Sequence, residues 1–600
     1  MVRALDRRSD GLEWEFEFGE DTAGGPVAVH TLVSKGVALP AGEPSPPDSE
    51  SDAHRLVALE DGDQRWAVDL PGRLSGGATG NNVVPHATTK SNSYVSHFLT
   101  VEQYPMVHDQ HDVIVVGGGI AGCFAAATAA AAGIDVVQLE RKSQTQGGFI
   151  ACGDAIKSPR DPRNYPGPID MDAIARDEAV RIDNNIDQIE YWDEQLGVRK
   201  VLPYETGSNV IDRYEFGQRL LEQAADRGVE QHYETVVNEV TQNGRVTGVK
   251  AVRNGEPVTY ECDVLIDAAG AQSILQDMVD FERLDTSGEP TFEVPHYTHF
   301  GSAYREIIET EEPVDYHNAI VGKPLEELGY IWYFPRTPTE INVGLGFQMN
   351  KDPIPLADRL RRDLETRPEY RNATVAERFD KTNKLGSAIA LRRPLDSMVA
   401  PGYLAAGGGA GTTHPITGKG IRGAAYSGYS AGRAAVQAIE DGDVSEDGLW
   451  EHNRWLYREH GEAATLAAWD AYNVAASSLE VDVLRALTAL LPETELREIV
   501  GTSTHVDSLR SKLLVGTGLL RNFVAESRKD TFETLGVSTR ELYGAITALK
   551  ETRGYVAEYE RQYERYPADR SRFERWRTER DRIDREFYEA LELSPSEYKY

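Results

Sequence analysis

Cysteine is scarce, with Cys123, Cys152 and Cys262 the only three in 600 residues. They lie far apart and form no CxxC pair, which excludes a disulfide framework and a zinc site and calls for no metal. Any special role for one of them is therefore chemical. No apolar run approaches the roughly 20 residues that a membrane-spanning helix needs. The opening MVRALDRRSDGLEWEFEFGED has basic residues without an apolar stretch behind them, so no secretory leader is expected and the chain reads as cytoplasmic. Positive charge is short too: 63 Lys and Arg face 97 Asp and Glu, a net charge of −34. That excludes a nucleic-acid partner, which needs a basic face. Among the basic residues lysine is the scarce one, 15 against 48 arginines. Abundant carboxylate with little lysine suits a salt-saturated cytoplasm, where screening relieves the repulsion, and points to a halophilic source.

What is present is enough apolar residue, 40%, to bury more than one core. Residues 1–105 stand apart. The stretch 40–53 (PAGEPSPPDSESDA) reads as a linker, and 74–100 shows no sustained period of 2 or 3.6. Alternation at 56–59 and 65–69 suggests a small hairpin. Met106 opens an ordinary start, so this extension is either real and loosely ordered or the product of a start codon placed too far upstream.

From 112 the pattern sharpens into strand (112–116), glycine cluster, alanine-rich helix (121–132) and second strand (134–140), one βαβ unit. Gly117, Gly119 and Gly122 form a GxGxxG at the strand-to-helix turn. The first makes the turn, the second lets a pyrophosphate approach, and the third lets helix and strand pack. Glu140 ends the second strand, where an acid would accept from a ribose hydroxyl. A helix at 214–227 and strands at 246–251 and 263–267 follow. An antiparallel sheet is expected over 293–347, a second α/β segment over 403–437, and helices beyond 440.

The loop Pro415-Ile-Thr-Gly418-x-Gly420, after a strand and before a helix, resembles the flavin-contacting loop of the glutathione-reductase-type FAD fold. Three further segments together resemble the archaeal geranylgeranyl reductase family. They are Ala151-Cys152-Gly153-Asp154-Ala155-Ile156; Tyr330-x-Trp332-x-Phe334-Pro335 followed by Gly344-x-Gly346; and Arg392-Arg393-Pro394. The likeness runs from about 111 to 590, with Ala303-Tyr304-Arg305-Glu306 and Gly448-Leu449-Trp450 as supporting pieces.

The resemblance implies an α/β architecture: a glutathione-reductase/p-hydroxybenzoate-hydroxylase-like FAD-binding domain (106–160, 206–275, 385–440), an antiparallel-sheet substrate domain (161–205, 276–384) and a C-terminal helical region (441–600). It implies FAD as cofactor, held by the early glycines, Glu140, Arg213, Gly408, Gly411, Pro415, Gly418 and Gly420. The implied reaction is saturation of double bonds in geranylgeranyl chains of archaeal lipids, with Tyr330, Trp332, Phe334, Gly344 and Gly346 lining the lipid site. Cys152 is the candidate for a gating or chemical role, against an ordinary buried thiol. Tyr304 is a candidate proton donor or orienting group. His414 either meets the flavin or is a loop histidine facing water. A lipid substrate implies peripheral contact at the inner membrane face, and the electron donor is a ferredoxin, a reduced deazaflavin or NADPH. One departure stands out: flavoproteins of this type carry Gly-Asp where this chain has Gly407-Gly408. That leaves weaker FAD binding, or ribityl contacts through backbone and water. The alternatives are another oxidoreductase of the same fold, monooxygenase- or halogenase-like, and a flavin-less lipid-binding protein.

The charge balance makes a first prediction. Dialysis from molar KCl into low salt removes the screening and is expected to unfold the protein, seen as loss of far-UV circular dichroism; an unchanged spectrum refutes the halophilic reading.

Overall fold

In the computed structural model the chain divides into two units, Met1–Gln103 and Tyr104–Tyr600. The structure describes residues 107–157, 164–180, 186–296, 299–348, 354–499 and 534–600, together with four earlier strands. In the first unit Val2–Ala4 pairs with Trp14–Phe16, and Ala53–Glu60 pairs with Asp63–Pro71, the hairpin that the alternation suggests. The rest of the linker and the stretch 74–100 lie outside the described residues.

The second unit is built on two large sheets. In the nucleotide sheet the order is Glu230–His232, Val136–Leu139, Val113–Val116, Val264–Asp267, Tyr403–Ala405 and Val399–Ala400, parallel except for the last pair. Val113, Ile114 and Val115 are fully buried, as a parallel strand covered on both faces requires. The helix Ile120–Ala131 packs along the helix Ile421–Asp441. A Cβ on Gly428 would fall 2.2 Å from the Ala121 carbonyl oxygen, and one on Gly432 would fall 2.5 Å from that of Ala125. Small residues on both helices thus allow backbone-to-backbone contact. A four-stranded sheet of Val107–Gln110, Thr235–Asn243, Arg245–Arg253 and Glu256–Glu261 completes this region.

The nine-stranded substrate sheet carries Phe300–Glu309, Glu340–Gln348, Gly329–Pro335 and Ala319–Pro324 as consecutive antiparallel neighbours, then Ile186–Asp193 and Val198–Val210. Its borders differ from the expected domain limits. Ala155–Lys157, the end of Val198–Val210 and Lys384–Ala390 all hydrogen-bond into this sheet, although each overlaps a segment assigned to the FAD domain. A strand's partners are not written in its own sequence, so the domain edges were misplaced there.

Beyond 440 the described chain is helical, with Glu462–Ser477, Val481–Leu490, Thr539–Tyr563 and Phe573–Ala590 the longest pieces after Ile421–Asp441. Buried ion pairs fasten this layer. Arg393 donates to both carboxylate oxygens of Asp584 (2.9 and 3.1 Å), Arg570 to Glu446 (2.6 Å), Lys599 to Asp470 (2.7 Å), and Arg580 to Asp396. Burial works against the Asp584 carboxylate, but the Arg393 and Arg580 guanidiniums outweigh it and hold the group below the usual carboxylate range. Asp584→Asn would leave two buried guanidiniums without that charge. It is expected to destabilise the fold by about 3–5 kcal/mol, measured by denaturant unfolding in high salt.

Candidate flavin and lipid site

The strand Val113–Val116 delivers the chain to Gly117 at φ +113°, where a Cβ would lie 2.3 Å from the Ala268 carbonyl oxygen. The turn therefore takes glycine alone. Gly119, the N-cap of the first helix, has nothing within 4 Å of where a Cβ would point, and no side chain caps this helix start. Its leading N–H groups and dipole thus face open space shaped for a phosphate. At Gly122 a Cβ would sit 1.9 Å from the Gly117 carbonyl oxygen, which enforces close packing of helix on turn. Glu140 is fixed by accepting from the amides of Gly118 (2.7 Å) and Lys142 (2.9 Å). Asp212 caps the helix Arg213–Ala225 and places Arg213 at its first position. Arg213 is 2% exposed, and its Nε and Nη1 have no hydrogen-bond partner among the described residues. A buried guanidinium left this way is fitted to an anionic oxygen. The early glycines, Glu140 and Arg213 therefore suit the pyrophosphate and ribose of FAD.

The late loop reaches the same place. A Cβ on Gly407 would lie 2.8 Å from the Ala121 Cβ, so the two glycine turns touch. The Gly409 carbonyl accepts from Arg392 (2.8 Å) and Gln276 (3.1 Å). A Cβ on Gly411 (φ +75°) would approach the Arg393 carbonyl oxygen at 2.9 Å. After Pro415, Gly418 adopts φ +67°, and Gly420 caps the helix Ile421–Asp441 with no side chain over its amides. His414 Nδ1 accepts from the amides of Ile416 (3.2 Å) and Thr417 (3.3 Å). Burial, with Lys419, Lys157 and Arg422 nearby, pulls its imidazole down to about 3. His414 is thus a neutral, buried residue that shapes the turn; it neither faces water nor carries a proton to donate as an imidazolium.

Gly408 resolves the missing carboxylate. A Cβ there would fall 2.7 Å from the Ala271 amide nitrogen and 3.0 Å from its Cα. Both are backbone atoms and cannot step aside, so this turn has no room for the usual aspartate.

The substrate side is set by strand register. Tyr330, Trp332 and Phe334 alternate onto one face of Gly329–Pro335, with ring centroids 6.0 and 6.2 Å apart along the row. Ile331 and Tyr333 fill the core on the other face. Opposite Trp332 stands Gly344 and opposite Tyr330 stands Gly346. A Cβ on Gly344 would lie 2.3 Å from the indole ring, whereas Gly346 leaves 3.6 Å to its nearest neighbour. Gly344 thus lets the Trp332 indole lie flat on the sheet, whereas Gly346 has room for a side chain. Tyr330 donates to the Thr417 carbonyl (2.9 Å), which joins this row to the flavin loop. The Cys152 loop crosses the same face: a Cβ on Gly153 would meet the Phe334 ring at 2.8 Å. Burial, then the charge of Asp154, pushes the Cys152 thiol up, so it stays protonated. Burial, with Cys152 beside it, pushes the Tyr330 phenol up to about 12.

Tyr304 is not brought to this site. It stands opposite Leu345, as does Ile331, so it shares their face of the sheet, and its phenol donates to Glu306 (2.6 Å). The neighbouring Arg305, 2% exposed, stands opposite Gly344 on Trp332's face instead. Side was the error: the Ala303–Glu306 segment resembles the family, but only register tells which residue turns inward. Asn342, Asp154 and Arg336 also belong to the site and were missed. Asn342 had a readable signal, a polar residue at an inward position of a strand that otherwise alternates apolar and small.

Residues 112–277 match the FAD dependent oxidoreductase family and residues 300–376 match the geranylgeranyl reductase catalytic domain. The protein is an FAD-dependent oxidoreductase similar to the geranylgeranyl reductases. Among its relatives, a digeranylgeranylglycerophospholipid reductase of Sulfolobus acidocaldarius is 25% identical over 497 residues, covering 80% of this chain and 99% of that one. One of the same name from Methanoculleus marisnigri is 28% identical over 359 residues, 58% of this chain and 81% of its own. The crystal structure of a geranylgeranyl bacteriochlorophyll reductase-like protein from Thermoplasma acidophilum shares the fold, with a TM-score of 0.54 and 21% identity over 72% of this chain and 99% of that one.

The Gly408 geometry makes a prediction against intuition. Restoring the usual residue, Gly408→Asp, is expected to weaken FAD binding by roughly tenfold or more, read by flavin fluorescence titration; tighter binding would show that the turn has room.

Proposed function

We propose that this enzyme saturates isolated double bonds of geranylgeranyl chains in isoprenoid lipids. The observation that supports it most is the aromatic row on Gly329–Pro335, which runs from the Cys152 loop to the flavin loop. Such an alkene is electron-rich, so a proton must arrive with or before hydride. The early glycines, Glu140 and Arg213 would hold FAD, which in its reduced form would supply the hydride. Cys152, kept as a thiol, breaks its S–H bond and gives the proton to the less substituted carbon, then recovers a proton from water. The faces of Tyr330, Trp332 and Phe334 attract the positive charge that builds on the tertiary carbon between those events. The dry, apolar row excludes water that would otherwise trap that charge.

Contact with the membrane rests on apolar side chains, because the acidic surface offers no polybasic patch. Ile150 and Phe379 are among the exposed large hydrophobics, and Phe379 packs edge-on against Phe149 three residues before Cys152. Among the described residues no helix is long and apolar enough to cross a membrane.

The test is anaerobic incubation of the reduced holoenzyme with a geranylgeranyl phospholipid. Product masses are expected to rise in steps of two hydrogens while the flavin reoxidises. No mass change, or fully saturated lipids in cells lacking the gene, would refute the reading. Cys152→Ala is expected to keep FAD and to lower kcat by roughly 10²-fold or more, the ordinary contribution of a general acid. Because the thiol is pushed up, wild-type kcat should hold through neutral pH and fall only above the usual thiol range.

A further inference from the structure

The Asn342 side chain, fully buried, spends both of its donors and its carbonyl oxygen on the proposed reaction face. Its Oδ1 accepts from the Trp332 indole N–H (2.9 Å). Its Nδ2 donates to the Cys152 carbonyl (2.8 Å) and to Asp154 Oδ2 (2.7 Å). An indole donates only and a carbonyl accepts only, so these partners fix which way the amide is turned. Asp154 is itself held by Arg336, at 2.6 Å through Nη2 and 3.1 Å through Nε. The Asp154 backbone sits at φ +66°, its amide donates to the Cys152 Sγ at 3.3 Å, and its carbonyl accepts from Ile211. A non-glycine residue in that conformation costs of order 1 kcal/mol or more and persists only where its surroundings determine it. Nothing in nucleotide-sheet packing requires this arrangement: its members come from the Cys152 loop and from two strands of the substrate sheet.

We propose that Asn342 is a positioning residue for catalysis, clamping the Cys152 loop to the Trp332 indole so that the thiol faces the aromatic row at a fixed place, with Asp154 as the anchor of the clamp. This rests on Cys152 being the acid named above. The clamp also keeps the Asp154 carboxylate beside the sulfur, which disfavours the thiolate. The same bonds therefore set where the proton donor stands and whether it holds its proton. Asn342 differs from Asp by one group of equal size, and that exchange would turn two accepted donations into contacts between lone pairs.

The experiment uses the FAD-loaded full chain in high salt. Iodoacetamide labelling, located by peptide mass mapping, reads Cys152 without turnover, since Cys123 and Cys262 are buried. In Asn342→Ala, labelling is expected to quicken roughly tenfold or more, its pH midpoint to fall toward the ordinary thiol value, and kcat to drop roughly tenfold with KM within about threefold. Asn342→Asp should behave similarly, because its carboxylate can donate neither to the Cys152 carbonyl nor to Asp154. Unchanged labelling and midpoint in Asn342→Ala would overturn the clamp. A freed Cys152 with unaltered kcat would overturn its catalytic purpose. Failure of the wild type to reduce any prenyl lipid, with labelling responding as described, would instead sink the proposed reaction.

Discussion

The contact on which the site depends is the one between two helices rich in small residues. Ile120–Ala131 and Ile421–Asp441 start at glycine turns some 300 positions apart in sequence, and they meet through Gly428 on Ala121 and Gly432 on Ala125. Because their backbones touch with Gly428 on Ala121, the two helices run parallel, and the uncapped start of Ile421–Asp441 reaches about two turns beyond that of Ile120–Ala131. A flavin dinucleotide is long and carries charge at its centre and, when reduced, at its far end. Two helix dipoles aimed along one edge answer both. A single bulky side chain at that helix contact would separate the turns.

The substrate sheet adds direction to this cradle. Its aromatic row is bonded to the flavin loop through Tyr330 and to the Cys152 loop through Trp332 and Asn342, so the aromatic wall, the Cys152 loop and the flavin loop are parts of one hydrogen-bonded frame. An apolar chain offers no polar handle along most of its length. Its reacting carbons are placed by the shape of the wall, which is why rigidity there matters more than affinity for any one group.

Local pattern carried much of this in the sequence. The strand, glycine turn and helix over 112–132 are neighbours in the chain, and the structure finds them at Val113–Val116 and Ile120–Ala131. Tyr330, Trp332 and Phe334 share a face because a strand has period two. Tyr304 was misjudged because its face depends on pairing with Leu345, forty-one positions away, which its own segment does not encode. The strands Ala155–Lys157 and Lys384–Ala390 crossed the expected domain limits for the same reason. Gly408 was visible as a departure, but that it is compulsory rests on the Ala271 backbone, a partner 137 positions earlier. The fastening of Arg393 to Asp584, 191 positions apart, left only a motif whose purpose was hidden.

Those interior ion pairs respond to dissolved salt differently from the charges at the surface. Mobile ions do not enter a packed helix seam, so Arg393 with Asp584 and Arg570 with Glu446 feel nearly the same attraction in dilute buffer as at saturation, while the repulsion among the excess carboxylates outside is screened by dissolved cations. The molecule thus holds two populations of charge, one indifferent to the medium and one governed by it. As brine thins, the rind should loosen while the rivets of the seam still grip, and unfolding should proceed from the outside inward.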